Sequence, residues 1–268
     1  MTNGHSIAKG DYIAPEWHQL LQEQGLLSFE TLWNRELVTL DEANTNRGGI
    51  STVGRMRVAR PDGEAMLIVK RQLNHNSRTL RHPLGGIPTF EKEFKNIFKY
   101  IRRGIATLAP VYFARRKDSR GTRAILVSEY LEGYRPLDEV TSRRADDGGT
   151  PAGRGHRRAV IREVARFVRH LHDRGMVHNC LYPKHIFVAE SDAGLDLRII
   201  DLEKSRPFLL RCGGIVKDLD TLYRRSYGWS RADYLRFLLA YQGVRRPTAR
   251  TRRLMGRILK RTRRKQER

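Results

Sequence analysis

One helix set into a run of strands limits what this chain can fold into more than any other feature. PTFEKEFKNIFKYIRRG, Pro88 to Gly104, carries Phe90, Phe94, Ile97, Phe98 and Ile101 at helical spacing, and Gly104 ends it. Strand patterns stand on both sides. Before it come VTL, STVGRMRVA and EAMLIVKRQ, the last two joined by the turn Pro61-Asp62-Gly63. After it come VYFARR and RAILVSEY, around a turn from Asp118 to Gly121. Five strands with one inserted helix predict an antiparallel sheet lobe carrying a single helix.

The rest of the chain reads differently. Ser142 to Gly155 is glycine-rich, lacks large apolar residues and is expected to be a flexible excursion. HRRAVIREVARFVRHLHDRG follows as an amphipathic helix whose Val160, Ile161, Val164, Phe167, Val168 and Leu171 share a face. A short strand pair, IFVAE and LDLRIID, precedes helices around KDLDTLYRRS and RADYLRFLLAYQG. Ahead of the strands, APEWHQLLQEQG puts Trp17, Leu20 and Leu21 on one helical face with Gly25 as C-cap. Ser28 then caps a short second helix through Trp33. The expectation is an α+β fold in four parts: a helical extension (1–36), an antiparallel-sheet lobe with one helix (37–131), a mostly helical lobe (132–244) and a basic tail (245–268). A cleft would lie between the two lobes.

With 268 residues, 39% of them hydrophobic, the chain can bury a sizeable core. Its two cysteines, Cys180 and Cys212, are too few for a disulfide framework or a thiolate zinc site, which fits a reducing cytosol. The first thirty residues include Asp11, Glu16 and Glu23 and lack the order of a secretory signal. No apolar run approaches the roughly 18 residues that span a bilayer. The expected location is cytoplasmic, or peripheral on the inner face of the cytoplasmic membrane. Net charge is +23, and Arg245 to Arg268 holds twelve Lys and Arg against one acid, Glu267. That balance implies a polyanionic partner, though a charged tail is also compatible with plain solvation.

Chemistry concentrates in two places. Lys70 ends the apolar strand LIVK, and Glu93 follows 23 residues later in the first turns of the inserted helix. Each alone is an ordinary surface residue. Together they match a strand lysine, paired to a helix glutamate, that holds the α- and β-phosphates of ATP. Gly48, Gly49 and Ser51 of NTNRGGIST precede the second strand and could bring backbone N–H groups close to phosphate. The second place is VHNCLYPKHIFV with LRIIDLEKS. Asp201 leaves a buried strand 21 residues after Cys180, as a carboxylate for Mg²⁺ would, although such a residue often only caps a turn. Asp218, in VKDLDTLY, would brace the loop from beneath.

On NTNRGGIST, LIVKRQ, FEKEFKNI, VHNCLYPKHIFV, IIDLEKSRP and VKDLDTLYRR, from about Leu37 to Gln242, the chain resembles the lipopolysaccharide core kinases, the WaaP and Kdo kinase group, and most closely their InaA-type members. The resemblance implies a protein-kinase-like bilobal fold, ATP and Mg²⁺ as cofactors, and transfer to a heptose or Kdo hydroxyl of the lipopolysaccharide inner core. It makes Lys70 the ATP lysine, Glu93 its partner and Asp201 the metal ligand, with His185 in the second metal-side position. Gly48, Gly49, Ser51 and Glu129 complete the expected nucleotide side. Tyr182 follows the sugar-kinase pattern, where protein kinases have lysine.

The departure is Cys180, which stands in the position of the catalytic aspartate. A thiol is mostly protonated at neutral pH and is too soft for Mg²⁺. As a small half-buried residue it also fits as mere filling. Glu203, or a phosphate on the substrate, could accept the proton instead. Two functions of different class are therefore expected to compete: a lipopolysaccharide sugar kinase, and a pseudokinase that binds nucleotide or a partner without chemistry. Nucleic-acid binding is supported by charge alone, since the tail has no aromatic residue for stacking. Leu254 with Ile258, and Met255 with Leu259, give the tail helix an apolar edge that could dip into an anionic membrane surface beneath a lipopolysaccharide core or other phosphorylated glycolipid acceptor.

Overall fold

The computed structural model describes residues 11–45, 48–79, 82–119, 121–142, 151–192, 194–208 and 213–267. Residues 143–150 of the glycine-rich stretch, Asn46 and Arg47 of the glycine turn, Arg120 of the Asp118–Gly121 turn, and Cys212 lie outside them. The chain forms two units: Met1–Lys99 with Leu108–Glu132, and Tyr100–Thr107 with Gly133–Arg268.

The first unit begins with β1 (Tyr12–Ile13), α1 (Pro15–Glu23) and α2 (Phe29–Asn34). β2 (Val38–Asn44), β3 (Ile50–Arg60) and β4 (Gly63–Leu73) follow as a meander, then the hairpin β5 (Asn76–Thr79) and β6 (His82–Pro88). α3 (Thr89–Arg102) leads to β7 (Pro110–Asp118) and β8 (Gly121–Glu129), the division between the units falling within this helix. Six strands form one antiparallel sheet in the order β1-β7-β8-β4-β3-β2. The two-residue period of a strand divides the work of β4. Leu67 and Val69 are buried in a core cluster with Trp17, Leu21, Phe29 and Leu32 of the two preceding helices. Lys70 and Gln72, one residue out of phase, meet α3. The N-terminal helices thus supply the core behind the strand that carries the lysine.

The second unit contains β9 (Arg135–Pro136), α4 (Leu137–Val140), α5 (Pro151–Asp173), β10 (Met176–Val177), β11 (Ile186–Ser191), β12 (Gly194–Ile199), β13 (Arg206–Pro207), α6 (Gly213–Arg225), α7 (Arg231–Gln242) and α8 (Ala249–Gln266). β12, β11 and β9 form one small sheet, and β10 pairs with β13. α5 buries Val160, Ile161, Val164, Val168 and Leu171, the expected stripe, with Phe167 at its edge. It packs on α7, and α6 packs on α8.

Three expectations change. Ile101 is 47% exposed, because the buried stripe of α3 ends on Tyr100, whose hydroxyl donates to Ser205 Oγ at 3.0 Å. Pro151 to Gly155, expected in the flexible stretch, belong instead to α5, which begins at Pro151, a residue pre-set for a first helical turn. The apolar edge of α8 is partly taken up by the fold, with Leu254, Met255 and Leu259 half-buried. Ile258 is fully buried, and Thr262 donates to the buried Asp220 at 2.8 Å, where Arg261 also arrives at 3.3 Å. Among the described residues no helix is long and apolar enough to cross a membrane.

Candidate active site

The first unit carries an ion pair on a fixed frame. Lys70 Nζ lies 2.7 Å from Glu93 Oε1, with Glu93 1% exposed. The neighbouring Glu91 is turned away to Lys95 and Arg115, at 2.6 and 2.9 Å. Gln72 fixes the register between strand and helix: its Oε1 accepts from the Phe90 backbone N–H at 2.7 Å and from Thr89 Oγ1 at 2.9 Å. Its Nε2 donates to the His75 carbonyl at 2.7 Å. Helix N-termini leave donors unpaired, and here a strand side chain takes one of them. The lysine and the residue that aims its partner are therefore two positions apart on one strand.

Among the other nucleotide-side residues, Gly49 and Glu129 have structural duties. At Gly49 an added Cβ would stand 2.4 Å from the Leu73 carbonyl and from the backbone of Asn74 and His75, so close packing explains this glycine. Gly48 has φ +71 and open space around it. Ser51 is buried in β3 opposite Gln72 of β4. Glu129 ends β8, and its Oε1 accepts the Trp17 indole N–H at 2.9 Å.

The second unit carries a loop held from below. Asp218 is fully buried, and its two oxygens accept the backbone N–H groups of His178 and Asn179, each at 2.7 Å. His172 Nε2 approaches the same carboxylate at 3.3 Å. Asn179 sits at φ +66, donates to the Lys204 carbonyl at 3.0 Å and accepts from Lys217 at 3.2 Å. His178 Nε2 meets the Ile200 carbonyl at 2.9 Å, tying the loop to the residue before Asp201. Asp201 itself is left-handed, φ 60 and ψ 58, a conformation costly for a residue with a Cβ and concentrated at functional sites.

His185 Nδ1 lies 3.0 Å from the Cys180 carbonyl, which makes it the donor, and Nε2 then faces Asp201 Oδ2 at 3.3 Å. Burial pulls the imidazole pKa down to about 4 despite the aspartate, so a neutral ring presents its lone pair to a carboxylate. Two acceptors turned toward one another suit a shared cation. Among the described residues no group of three or more His, Cys, Asp or Glu forms a protein-only metal cage. A Mg²⁺ site completed by phosphate oxygens needs only one or two protein ligands; the Asp201 carboxylate is a hard donor of that kind, and the His185 imidazole would reach the ion through a water.

Cys180 is 7% exposed. Burial raises its thiol pKa, and Asp201 adds to this, against the pull of the Lys204 ammonium beside it. The group is a neutral thiol at physiological pH. Lys204 had no part in the sequence reading; its only signal was its place three residues after Asp201. Gln72 was also missed, because a glutamine in a strand has no motif.

The sequence profile described as the lipopolysaccharide kinase (Kdo/WaaP) family matches residues 30–241. Protein InaA of Escherichia coli (strain K12) is 28% identical over 206 residues, covering 77% of this chain and 91% of that protein. Serine/threonine-protein kinase pkn2 of Myxococcus xanthus is 30% identical over 86 residues, 32% of this chain and 10% of that much longer protein. Among solved structures, WaaP in complex with acyl carrier protein aligns with a TM-score of 0.66 at 23% identity, covering 97% of this chain and 98% of that one. That likeness supports the α+β, kinase-like fold.

Proposed function

Because this chain belongs to the lipopolysaccharide kinase (Kdo/WaaP) family, we propose that it is an ATP-dependent phosphotransferase acting on a heptose or Kdo hydroxyl of the lipopolysaccharide inner core. The observation that carries the reading is the Lys70–Glu93 pair at 2.7 Å. A buried ion pair adds little stability over an apolar pair of the same size, so its presence points to use rather than to folding.

In this reading Lys70, steered by Glu93, binds the α- and β-phosphates. Asp201 and His185 would hold Mg²⁺, whose charge would offset that of the phosphates. Asp218 fixes the His178–Asn179 backbone and so the direction of the loop. Lys204 places a positive charge beside the loop at Cys180. Phosphoryl transfer has a loose transition state and depends mainly on positioning and charge. Loss of a general base costs ~10²–10⁴-fold; such an enzyme is slowed, not abolished. Glu203, two residues after Asp201, or a phosphate of the acceptor takes the proton in place of Cys180.

The neutral thiol favours one second reading, a kinase-like protein that binds nucleotide or a partner in a regulatory role. Transfer of label from radiolabelled ATP to lipopolysaccharide core acceptors separates the two, with Lys70→Ala as control. Label in the acceptor with the parent chain and none with the variant supports the kinase; none with either, alongside retained nucleotide binding, supports the second reading. The solvent-facing Arg252, Arg253, Arg263, Arg264 and Lys265 of α8 would hold the protein on the anionic inner face of the cytoplasmic membrane by charge alone.

A further inference from the structure

Beside the loop of Cys180, within the second unit, lies a cavity of about 720 Å³ lined by Tyr182, Lys184, Arg225, Tyr227 and Asp138, among others. Its volume falls in the range of small-molecule sites. Arg225, at the C-terminal end of α6, is its most unusual member. The guanidinium lies 5.5 Å from the centre of the Tyr182 ring, and its Nη1 donates to the Tyr227 hydroxyl at 3.0 Å. Among the described residues no carboxylate comes within ion-pair reach of it. A cation held by two aromatic side chains without an acid is pre-set, with donors left for an anion. Tyr227 is 82% exposed, a large aromatic surface that packing does not require.

The walls are braced. Arg157, 7% exposed, donates to the Thr141 carbonyl at 2.5 Å and to the Gly228 carbonyl, and meets Asp233 at 3.3 Å. Trp229 Nε1 donates to Thr141 Oγ1 at 3.0 Å. These bonds tie the end of α4 to the segment carrying Tyr227 and hold the cavity open. The Tyr182 ring also meets the His185 imidazole edge-on, with centroids 5.1 Å apart. One tyrosine thus links the Asp201–His185 pair to Arg225.

We propose that this cavity binds the acceptor sugar through an anionic substituent, a carboxylate or phosphate carried on the sugar itself, seated on Arg225. Lys184 adds a second positive charge. The exposed ring of Tyr227 offers a flat apolar face to the sugar, and Asp138 accepts from its hydroxyls. A neutral sugar would leave Arg225 without a counter-charge and gain only the ring contact. The inference rests on the phosphotransferase reading for the meaning of the site, but the binding it requires involves no ATP.

The test is calorimetric titration of the full chain, without nucleotide, with Kdo, mannose 6-phosphate and unsubstituted mannose. At least one charged sugar should bind saturably, with mannose about tenfold weaker or more, the fold-change of one charge-assisted contact. Kdo alone would identify a carboxylate, mannose 6-phosphate alone a phosphate, and both a general anion seat. Arg225→Gln should weaken the charged sugar about tenfold and leave mannose unchanged, and Arg225→Lys should fall between. An unchanged melting temperature checks that the variants fold; if Arg225→Gln does not fold, the comparison of charged and neutral sugars on the parent chain decides. Equal binding of mannose and the charged sugars, no binding of any, or an Arg225→Gln effect within about twofold would overturn the proposal. Sugar binding that depends on Arg225 without any ATP-dependent transfer would sink the phosphotransferase reading and leave this site standing.

Discussion

Gln72 Oε1 accepts the backbone N–H of Phe90 at 2.7 Å, a side chain of a strand closing the first turn of the helix beside it. The bond is buried, and so are its companions to Thr89 and His75. Gln72→Leu keeps the volume and strands these groups without partners. Stability should fall by roughly 1–3 kcal/mol, read by urea denaturation. Glu93 should also lose its aim, so nucleotide affinity should drop in a variant that still folds. A variant as stable as the parent would show that the network is dispensable.

The Lys70–Glu93 pair allows fold and function to be separated. Lys70→Met takes the ammonium away from a carboxylate 1% exposed, at an expected cost of about 3–5 kcal/mol. Adding Glu93→Leu removes the buried charge and should recover most of that loss. The double variant should then be folded and unable to transfer phosphate. Transfer at the parental rate by this stable double variant would end the assignment of Lys70 to ATP.

Asp218 supports the loop through two backbone bonds at 2.7 Å. Asp218→Asn replaces one accepting oxygen with an NH₂ group that cannot accept. The loss should be about 1.5–3 kcal/mol, since bonds to a charged group are the stronger kind. Hydrogen exchange should quicken at the amides of His178 and Asn179 ahead of the rest of the chain. Uniform protection across the loop would contradict a bracing role.

Metal dependence follows from Asp201 and His185. Mg-ATP should raise the melting temperature more than ATP with a chelator, because a ligand bound to the native state alone stabilises it. Asp201→Ala should remove the Mg²⁺-dependent part of the shift. No shift at millimolar Mg-ATP would mean that the nucleotide site is vestigial.

Cys180 should behave as a buried neutral thiol. Its pKa is raised, so in a Cys212→Ser background alkylation should stay slow at neutral pH and begin at a more alkaline pH than for an ordinary cysteine. Cys180→Ser should keep transfer within a few-fold of the parent, and Cys180→Asp should bring no gain, because a new carboxylate would crowd Asp201. A large gain with aspartate would point to an eroded kinase.

The strands, the long helices and the two stretches that carry the candidate residues were legible because each rests on a local pattern. LIVK is an apolar run that ends on a lysine, FEKEFKNIF repeats at helical spacing, and Asp201 closes another apolar run. What escaped was polar or short. The β5–β6 hairpin, NSRT with HPLGGIP, has no alternation to read. Arg157 looks like one more basic residue on a basic helix, yet it is buried by carbonyls from Thr141 and Gly228, far away in sequence. The tail was legible as a helix but not as a packed one, since Thr262 finds Asp220 only when α6 is in place.

That last feature decides how the protein's charge can be studied. Asp220 sits at 0% exposure under Arg224, Arg261 and Thr262, so deleting the last helix to remove its charge would bare a carboxylate and unseat α6. A truncated chain would therefore confuse lost adhesion with lost folding. Charge on α8 and its seat in the fold are written on different sides of the same eighteen residues. Glutamine placed at Arg252, Arg253, Arg263 and Arg264 would remove four of the outward charges and spare the arginine that guards Asp220.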